Sequence, residues 1–324
     1  LEGMFTSYYG IIYKANVVLG HVPEESEIQL RARAEAKVFR AWSYFELISM
    51  WGNPPLVDHE LEPSEYQMPN GTTEELWALV EKDLTEAIES GYLTQKANAD
   101  DKTWRVTKQF AQALLGKGYL WQKKYDEAAK TFDSIINSGL YRLYNDYENV
   151  IAFSAKQNCE SMFESIKISD PNNVWNNFTM LHLMIHYRTD KLVDNCCTNA
   201  GLAGLGWGFL SPQENLYNDF VAVEGENGYR LNATMKTWEQ MTQMGINVKE
   251  GNTIISEGYF MWKWRITAEQ VPAAGSNFVD DSNRQWMRYA EVLLCAAEAH
   301  AENGNAGKAA EYMNIIRTRA QAPT

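Results

Sequence analysis

The sequence predicts a mainly α protein, in which helical hairpins stack as an α/α superhelix against an irregular, loop-rich half with a few short strands. Three observations predict it. Arg288 to Ala320 holds two apolar-periodic stretches broken at Asn303, Gly304 and Asn305, with Val292, Leu293, Ala296 and Ala297 on the first and Ala309, Met313 and Ile316 on the second. Val106 to Gly139 repeats that helix, turn, helix arrangement. Between them, residues 140–264 lose helical periodicity and carry short apolar runs among Gly and Asn clusters.

The Val106 to Gly139 hairpin is the clearer copy. Leu115, Gly116 and Tyr119 are followed by Ala128 and Phe132, the spacing of a tetratricopeptide repeat, with Gln112 in place of its leading Trp and no closing Pro. Size explains the pattern: Gly116 and Ala128 are small where two helix backbones approach, and Tyr119 and Phe132 fill the flanking space. A shift of 181 residues, from Gly116 to Ala297, places His300, Ala309 and Met313 on the same offsets, so the later hairpin reads as a degenerate second copy.

Upstream, Met4 to Val22 forms a helix with Phe5, Tyr8, Tyr9, Ile12 and Val17 on a broad apolar face. From Glu24 to Trp51 a charged start passes into Val38, Ala41, Trp42, Phe45 and Ile48 at helical spacing, until Pro54 and Pro55 stop the helix. Thr72 and Glu75 make a capping box for the next helix, whose stripe of Leu76, Val80, Leu84, Ala87 and Ile88 ends at Gly91. In the irregular half, Ser211, Pro212 and Glu214 open a helix carrying Leu216, Tyr217 and Phe220. Phe260, Trp262, Trp264 and Ile266 alternate with Met261, Lys263 and Arg265, as in a half-buried strand. The chain thus divides into a scaffold at 1–139, an irregular half at 140–284 and a returning hairpin at 285–324, together one composite domain.

A length of 324 residues with 45% hydrophobic content suffices for a sizeable core. The net charge of -13, from 29 basic and 42 acidic residues with no Lys or Arg block, argues against nucleic acid as a partner. Four cysteines are too few and too irregular for a disulfide framework; adjacent Cys196 and Cys197 are not a metal-binding CxxC, and Cys295 reads as a small core residue. No apolar run is long enough to span a bilayer, and any leader or address lies outside this stretch. Enzyme signatures are scarce: HExxH, GxSxG and GxxxxGK[ST] are missing, and Gly204, Gly206 and Gly208 do not complete GxGxxG. The histidines do not cluster, so neither a metal nor a cofactor is expected. A glycosidase's carboxylate pair leaves no sequence trace, because its two members meet only in space.

Six strings, in order, resemble the SusD/RagB family of nutrient-binding outer-membrane lipoproteins: RAEAKVFRAWSYFELISMWGNPPL, VTKQFAQALLGKGYL, YDEAAKTFDSIINSGLYRLY, NCESMFESI, GWGFLSPQENLYNDF and RYAEVLLCAAEAHAENG. The resemblance runs over nearly the whole chain. It implies tetratricopeptide-like hairpins supporting a loop-rich, glycan-holding half, tethered by a lipid anchor at the extracellular face of the outer membrane. It also implies non-catalytic capture of oligosaccharide or polysaccharide and its delivery to a SusC-type TonB-dependent transporter. Two departures stand out. The family's lipidated leader and first segment precede a helix like Met4 to Val22, and an Arg- and Glu-rich helix follows a segment like Asn314 to Ala320. The chain therefore reads as a fragment, with part of any site outside it. A tetratricopeptide scaffold for a protein partner and an all-α glycoside hydrolase are the alternatives.

Sugar binding needs flat aromatic faces for the C–H patches of a pyranose, beside amides, carboxylates or guanidinium groups for its hydroxyls. Trp175 leads, in SDPNNVWNNFT, where Asn173 and Asn176 supply directional hydrogen bonds and Pro171 favours an exposed loop. Its other reading is an interior anchor for a long loop. Trp207 has Gly206 and Gly208 on either side, which admit a ligand or another backbone; it is either a platform or a ring wedged under a glycine turn. The resemblance places its segment beside the glycan face. Trp262 and Trp264 read as core, and Trp42, Trp51, Trp77 and Trp121 as scaffold packing. Arg230 reads as one half of a structural ion pair, and Asp280 and Asp281 as a solvated loop.

Overall fold

The computed structural model describes residues 2–167, 170, 172–173, 180–185, 187–252, 258–268, 271 and 282–324. In chain order it holds helices α1 (Glu2–His21), α2 (Glu27–Trp51), α3 (Thr73–Glu89), α4 (Lys108–Trp121) and α5 (Tyr125–Asn137). Strand β1 (Ser161–Ser165), helices α6 (Leu181–Ile185), α7 (Cys196–Asn199), α8 (Glu214–Glu224) and α9 (Tyr229–Thr234), strand β2 (Met235–Thr237) and helix α10 (Trp238–Gln243) follow. Strands β3 (Tyr259–Met261) and β4 (Arg284–Arg288) then lead into helices α11 (Tyr289–Glu302) and α12 (Ala306–Arg319). The class is mainly helical, as the hairpin pattern predicts. Two compact units divide the chain: Leu1–Arg142 with Met287–Met313, and Leu143–Trp286 with Asn314–Thr324.

In the first unit each helix starts on a chemical signal. Ser26 caps α2 by accepting from the Gln29 N–H, and Thr72 caps α3 by accepting from the Glu75 N–H, each with the reciprocal side-chain bond of a capping box. Helix α2 stops at Gly52, whose N–H donates back to the Ile48 carbonyl and whose φ of 77° turns the chain out of the helix. Its stripe of Val38, Ala41, Trp42, Phe45 and Ile48 is buried as expected. One polar residue runs through that stripe. Arg40 donates to both Asp83 carboxylate oxygens at 2.7 and 2.8 Å, and to Asn16 Oδ1 and the Asp58 carbonyl at 2.7 Å each. It thereby ties α1, α2, α3 and the connection after α2 together. Burial alone would lower the Arg40 pKa, but the Asp83 hydrogen bonds and charge outweigh it and hold it raised. Burial also pushes Asp83 up against those bonds; the forked geometry is that of an ionised pair.

The α4–α5 hairpin has the repeat's contact. A Cβ on Gly116 would stand 2.8 Å from two ring carbons of Phe132, which is fully buried. Gly116→Ala should therefore destabilise the protein by about 1–3 kcal/mol of overpacking, although alanine gains about 1 kcal/mol of helix propensity. Urea unfolding measures the sign. In the second hairpin the register differs from the expected one. Tyr312 is buried and Met313 exposed, because the Tyr312 hydroxyl donates to Asp133 on α5 at 2.6 Å and the His300 ring meets the same carboxylate at 3.1 Å. An aromatic with a polar handle displaces methionine from the inner position. Trp42 and Trp77 are buried as scaffold packing, Trp51 is half-buried, and Trp121 is exposed, contrary to expectation.

The second unit builds its core from short pieces. Tyr187, Leu192, Cys196, Cys197, Met241, Ile246, Phe260 and Trp262 form one apolar cluster, and Leu183, Ala203 and Ile266 form another. The extended run predicted for Phe260 to Ile266 is cut short. β3 pairs with β2 only from Tyr259 to Met261; the Trp262 and Lys263 N–H groups then both donate to the Thr234 carbonyl, and the chain turns. Trp262 is nevertheless buried, its Nε1 donating to Glu148 at 2.8 Å with Lys236 and Arg265 over the ring at 4.9 and 4.7 Å. Helix α8 lies where Glu214, Leu216 and Tyr217 put it, but it buries none of its residues and begins after Gln213 with no side-chain cap. Arg230 pairs with Glu224 at 2.8 Å, the ion pair its position suggests. Cys196 and Cys197 are free thiols with sulfurs 3.9 Å apart, and burial pushes Cys197 up to about 12. Cys295, in the first unit, is half-buried rather than core.

Candidate functional site

The loop after α7 brings an aromatic corner to the surface of the second unit. Two crossings hold it. The Trp207 N–H donates to the Leu183 carbonyl at 3.0 Å and the Phe209 N–H to the Met184 carbonyl at 2.8 Å, while Gly206 and Thr189 exchange bonds at 3.1 and 3.2 Å. Gly208 has φ 65°, and a Cβ there would lie 3.0 Å from the Arg188 Cβ and 3.1 Å from its backbone nitrogen. Only glycine fits both demands. The two aromatic residues are separated by that one glycine, with ring centroids 5.5 Å apart and planes tilted by 38°. Trp207 is half-buried against Leu183, Ala203 and Ile266, which fixes it; Phe209 is 61% exposed.

Beside this corner stands a polar pair. Arg188, whose backbone abuts Gly208, donates from Nε and Nη2 to the two Asp190 oxygens at 2.6 and 3.0 Å. The Arg188 hydrogen bond holds Asp190 below the usual carboxylate range, and Asp190 in turn raises Arg188. Both remain about half exposed. A guanidinium with N–H groups to spare and a carboxylate with lone pairs to spare offer donors and acceptors next to a flat apolar face.

Of the residues singled out from sequence, Trp207 lies at this corner. Asn173 is exposed, with its N–H donating to the Asp170 carbonyl at 3.0 Å, beside an Asn172 N–H bound to the Asp170 carboxylate at 2.9 Å. That is an Asx turn on a separate segment. Trp175 and Asn176 lie outside the described residues, as do Asp280 and Asp281. Sequence reasoning passed over Phe209, Arg188 and Asp190. Neither Phe209 nor the ion pair had a signal: Gly208, at φ 65°, breaks any extended run whose period of two would have put Phe209 on the side of Trp207. Among the described residues no group of three or more His, Cys, Asp or Glu is placed to hold a metal ion, and no helix is long and apolar enough to cross a membrane.

Stacked helical hairpins in one unit, and an aromatic, loop-borne surface in the other, define a helical-repeat protein that also carries an irregular, loop-rich unit. The sequence profile of the SusD family matches residues 64–324, and one described as starch-binding associating with the outer membrane matches residues 2–120. The chain belongs to the SusD family. It is 26% identical over 338 residues to SusD-like protein P2 of Formosa agariphila, covering 99% of this chain and 63% of that one. A SusD-like protein of Bacteroides ovatus is 25% identical over 361 residues, with 99% and 59% covered, so the chain spans about three-fifths of the length of these relatives. Among solved structures, a laminarin-binding SusD-like protein superposes with a TM-score of 0.85 at 25% identity, covering 100% of this chain and 71% of that one.

Proposed function

We propose that the chain binds an oligosaccharide or polysaccharide without chemical turnover, at the outer face of the outer membrane, and passes it to a SusC-type TonB-dependent transporter. The observation that carries the reading is the Trp207–Phe209 corner with the Arg188–Asp190 pair alongside. A sugar laid on the corner removes its C–H face from water, and the pair meets its hydroxyls. The named ligand of the laminarin-binding relative makes a glucan the first class to test. Asp190, held ionised by Arg188, is an acceptor for sugar hydroxyls and has no proton to give as a general acid at neutral pH. Hydroxyls exchange water hydrogen bonds for protein ones at little net gain, so dissociation constants between about micromolar and millimolar are expected. The test is affinity electrophoresis on starch, laminarin and a panel of other glycans, with product analysis of the same mixtures. Retardation on one glycan without released sugar supports the reading. Released sugar turns it toward a hydrolase; retardation on none removes it.

A further inference from the structure

We infer a second sugar subsite on the first unit, in the groove between α4 and α11 at Trp121; the inference rests on the glycan-binding reading above. Trp121 ends α4 and is 56% exposed, although it sits in a helical scaffold that buries Trp42 and Trp77. Its ring is not loose. Phe45, itself buried, meets it edge-on at 6.0 Å and 83°, and Trp77 meets Phe45 at 5.6 Å and 76°. An indole in a fixed orientation thus keeps more than half of its surface open to solvent.

Beside it is a depression of about 210 Å³, lined by Lys117, Leu120, Trp121, Cys295 and Glu298. The first three recur at i, i+3 and i+4 on α4, and the last two at i and i+3 on α11, so each helix offers one stripe to it. Leu120 and Cys295 make an apolar floor; burial pushes the Cys295 thiol up to about 12, so it stays neutral. The Lys117 ammonium is positioned over the Phe45 ring at 5.3 Å and donates to Glu291 at 2.6 Å, leaving further N–H donors. Glu298 is exposed, and its carboxylate has no hydrogen bond or ion pair among the described residues.

A flat aromatic face, an apolar floor, one donor and one acceptor match a single pyranose: a C–H face to stack and hydroxyls to satisfy at the rim. The space is too small for a helix, whose diameter is about 10 Å. An extended peptide would find no row of backbone partners there, because both walls are helices whose own N–H and C=O groups are spent internally.

The test follows the tryptophan indole N–H resonances of the whole chain during titration with starch-derived and laminarin-derived hexasaccharides. The Trp121 signal is assigned by its loss in Trp121→Phe. The expected result is a saturable shift of that signal at millimolar sugar, retained in Phe209→Ala, and a Trp121→Ala variant, folded as judged by its remaining indole signals, that holds the sugar about two- to tenfold more weakly. If Phe209→Ala weakens binding while the Trp121 signal never moves, this subsite is overturned and the glycan-binding reading stands. If no sugar moves any signal, both fall. A shift caused by an unstructured peptide but by no sugar also overturns it.

Discussion

Asp83→Ala is expected to lower the free energy of unfolding by about 3–5 kcal/mol, because it strands a guanidinium in the core. Arg40 and Asp83 have side chains 8% and 1% exposed, so bulk solvent does not reach the two lost bonds. Asn16 and the Asp58 carbonyl still hold Arg40 Nη1, but neither carries a compensating charge. The complementary experiment separates the cost of a stranded charge from the worth of the pair. Arg40→Met with Asp83→Leu removes both charges together and should recover most of the loss. Urea unfolding of the two variants decides it: a loss below about 1 kcal/mol for Asp83→Ala would mean that the network contributes little.

Glu160→Ala should be as damaging in the second unit. Glu160 is fully buried and accepts from the Tyr144 N–H at 2.9 Å and from Arg319 Nη1 at 2.8 Å, while Arg319 also donates to the Tyr144 carbonyl at 3.1 Å and lies over the Tyr147 ring. This pair pins residues 314–324 to the unit they belong to. Loss of about 3–5 kcal/mol is expected, together with rapid hydrogen exchange after Asn314. Slow exchange there in the variant would show that packing of Ala320 and Ala322, both buried, holds the segment without the ion pair.

The helical scaffold was legible because its signals are local and redundant. Thr72 with Glu75 announces a start, Gly304 a turn, and the spacing from Gly116 to Phe132 a backbone contact that Phe132 then enforces. The Arg40–Asp83 pair was not legible, since two charges 43 residues apart look solvated until three helices close around them. The same holds for Tyr312: only the position of Asp133 makes it, rather than Met313, the inner residue. In the second unit the regular pieces are shorter than one period can establish. Thr237 and Gln240 form a capping box for α10, a helix of six residues. At Trp262 alternation predicted a longer strand, but the turn after Met261 and the Glu148 acceptor bury the ring by another route. The aromatic corner was half legible. Glycines on both sides marked Trp207 as a place of close approach, and what approaches is the Arg188 backbone.

The most direct test of the central claim is calorimetric titration of the retained glycan into wild type and Phe209→Ala. Phe209 is 61% exposed, so its removal leaves the melting temperature unchanged while costing one stacking surface. The account predicts a dissociation constant weakened roughly two- to tenfold, the equivalent of about 0.5–1.5 kcal/mol. Equal affinity in the two proteins, with the glycan still bound, would contradict it and move the binding face away from the Trp207–Phe209 corner.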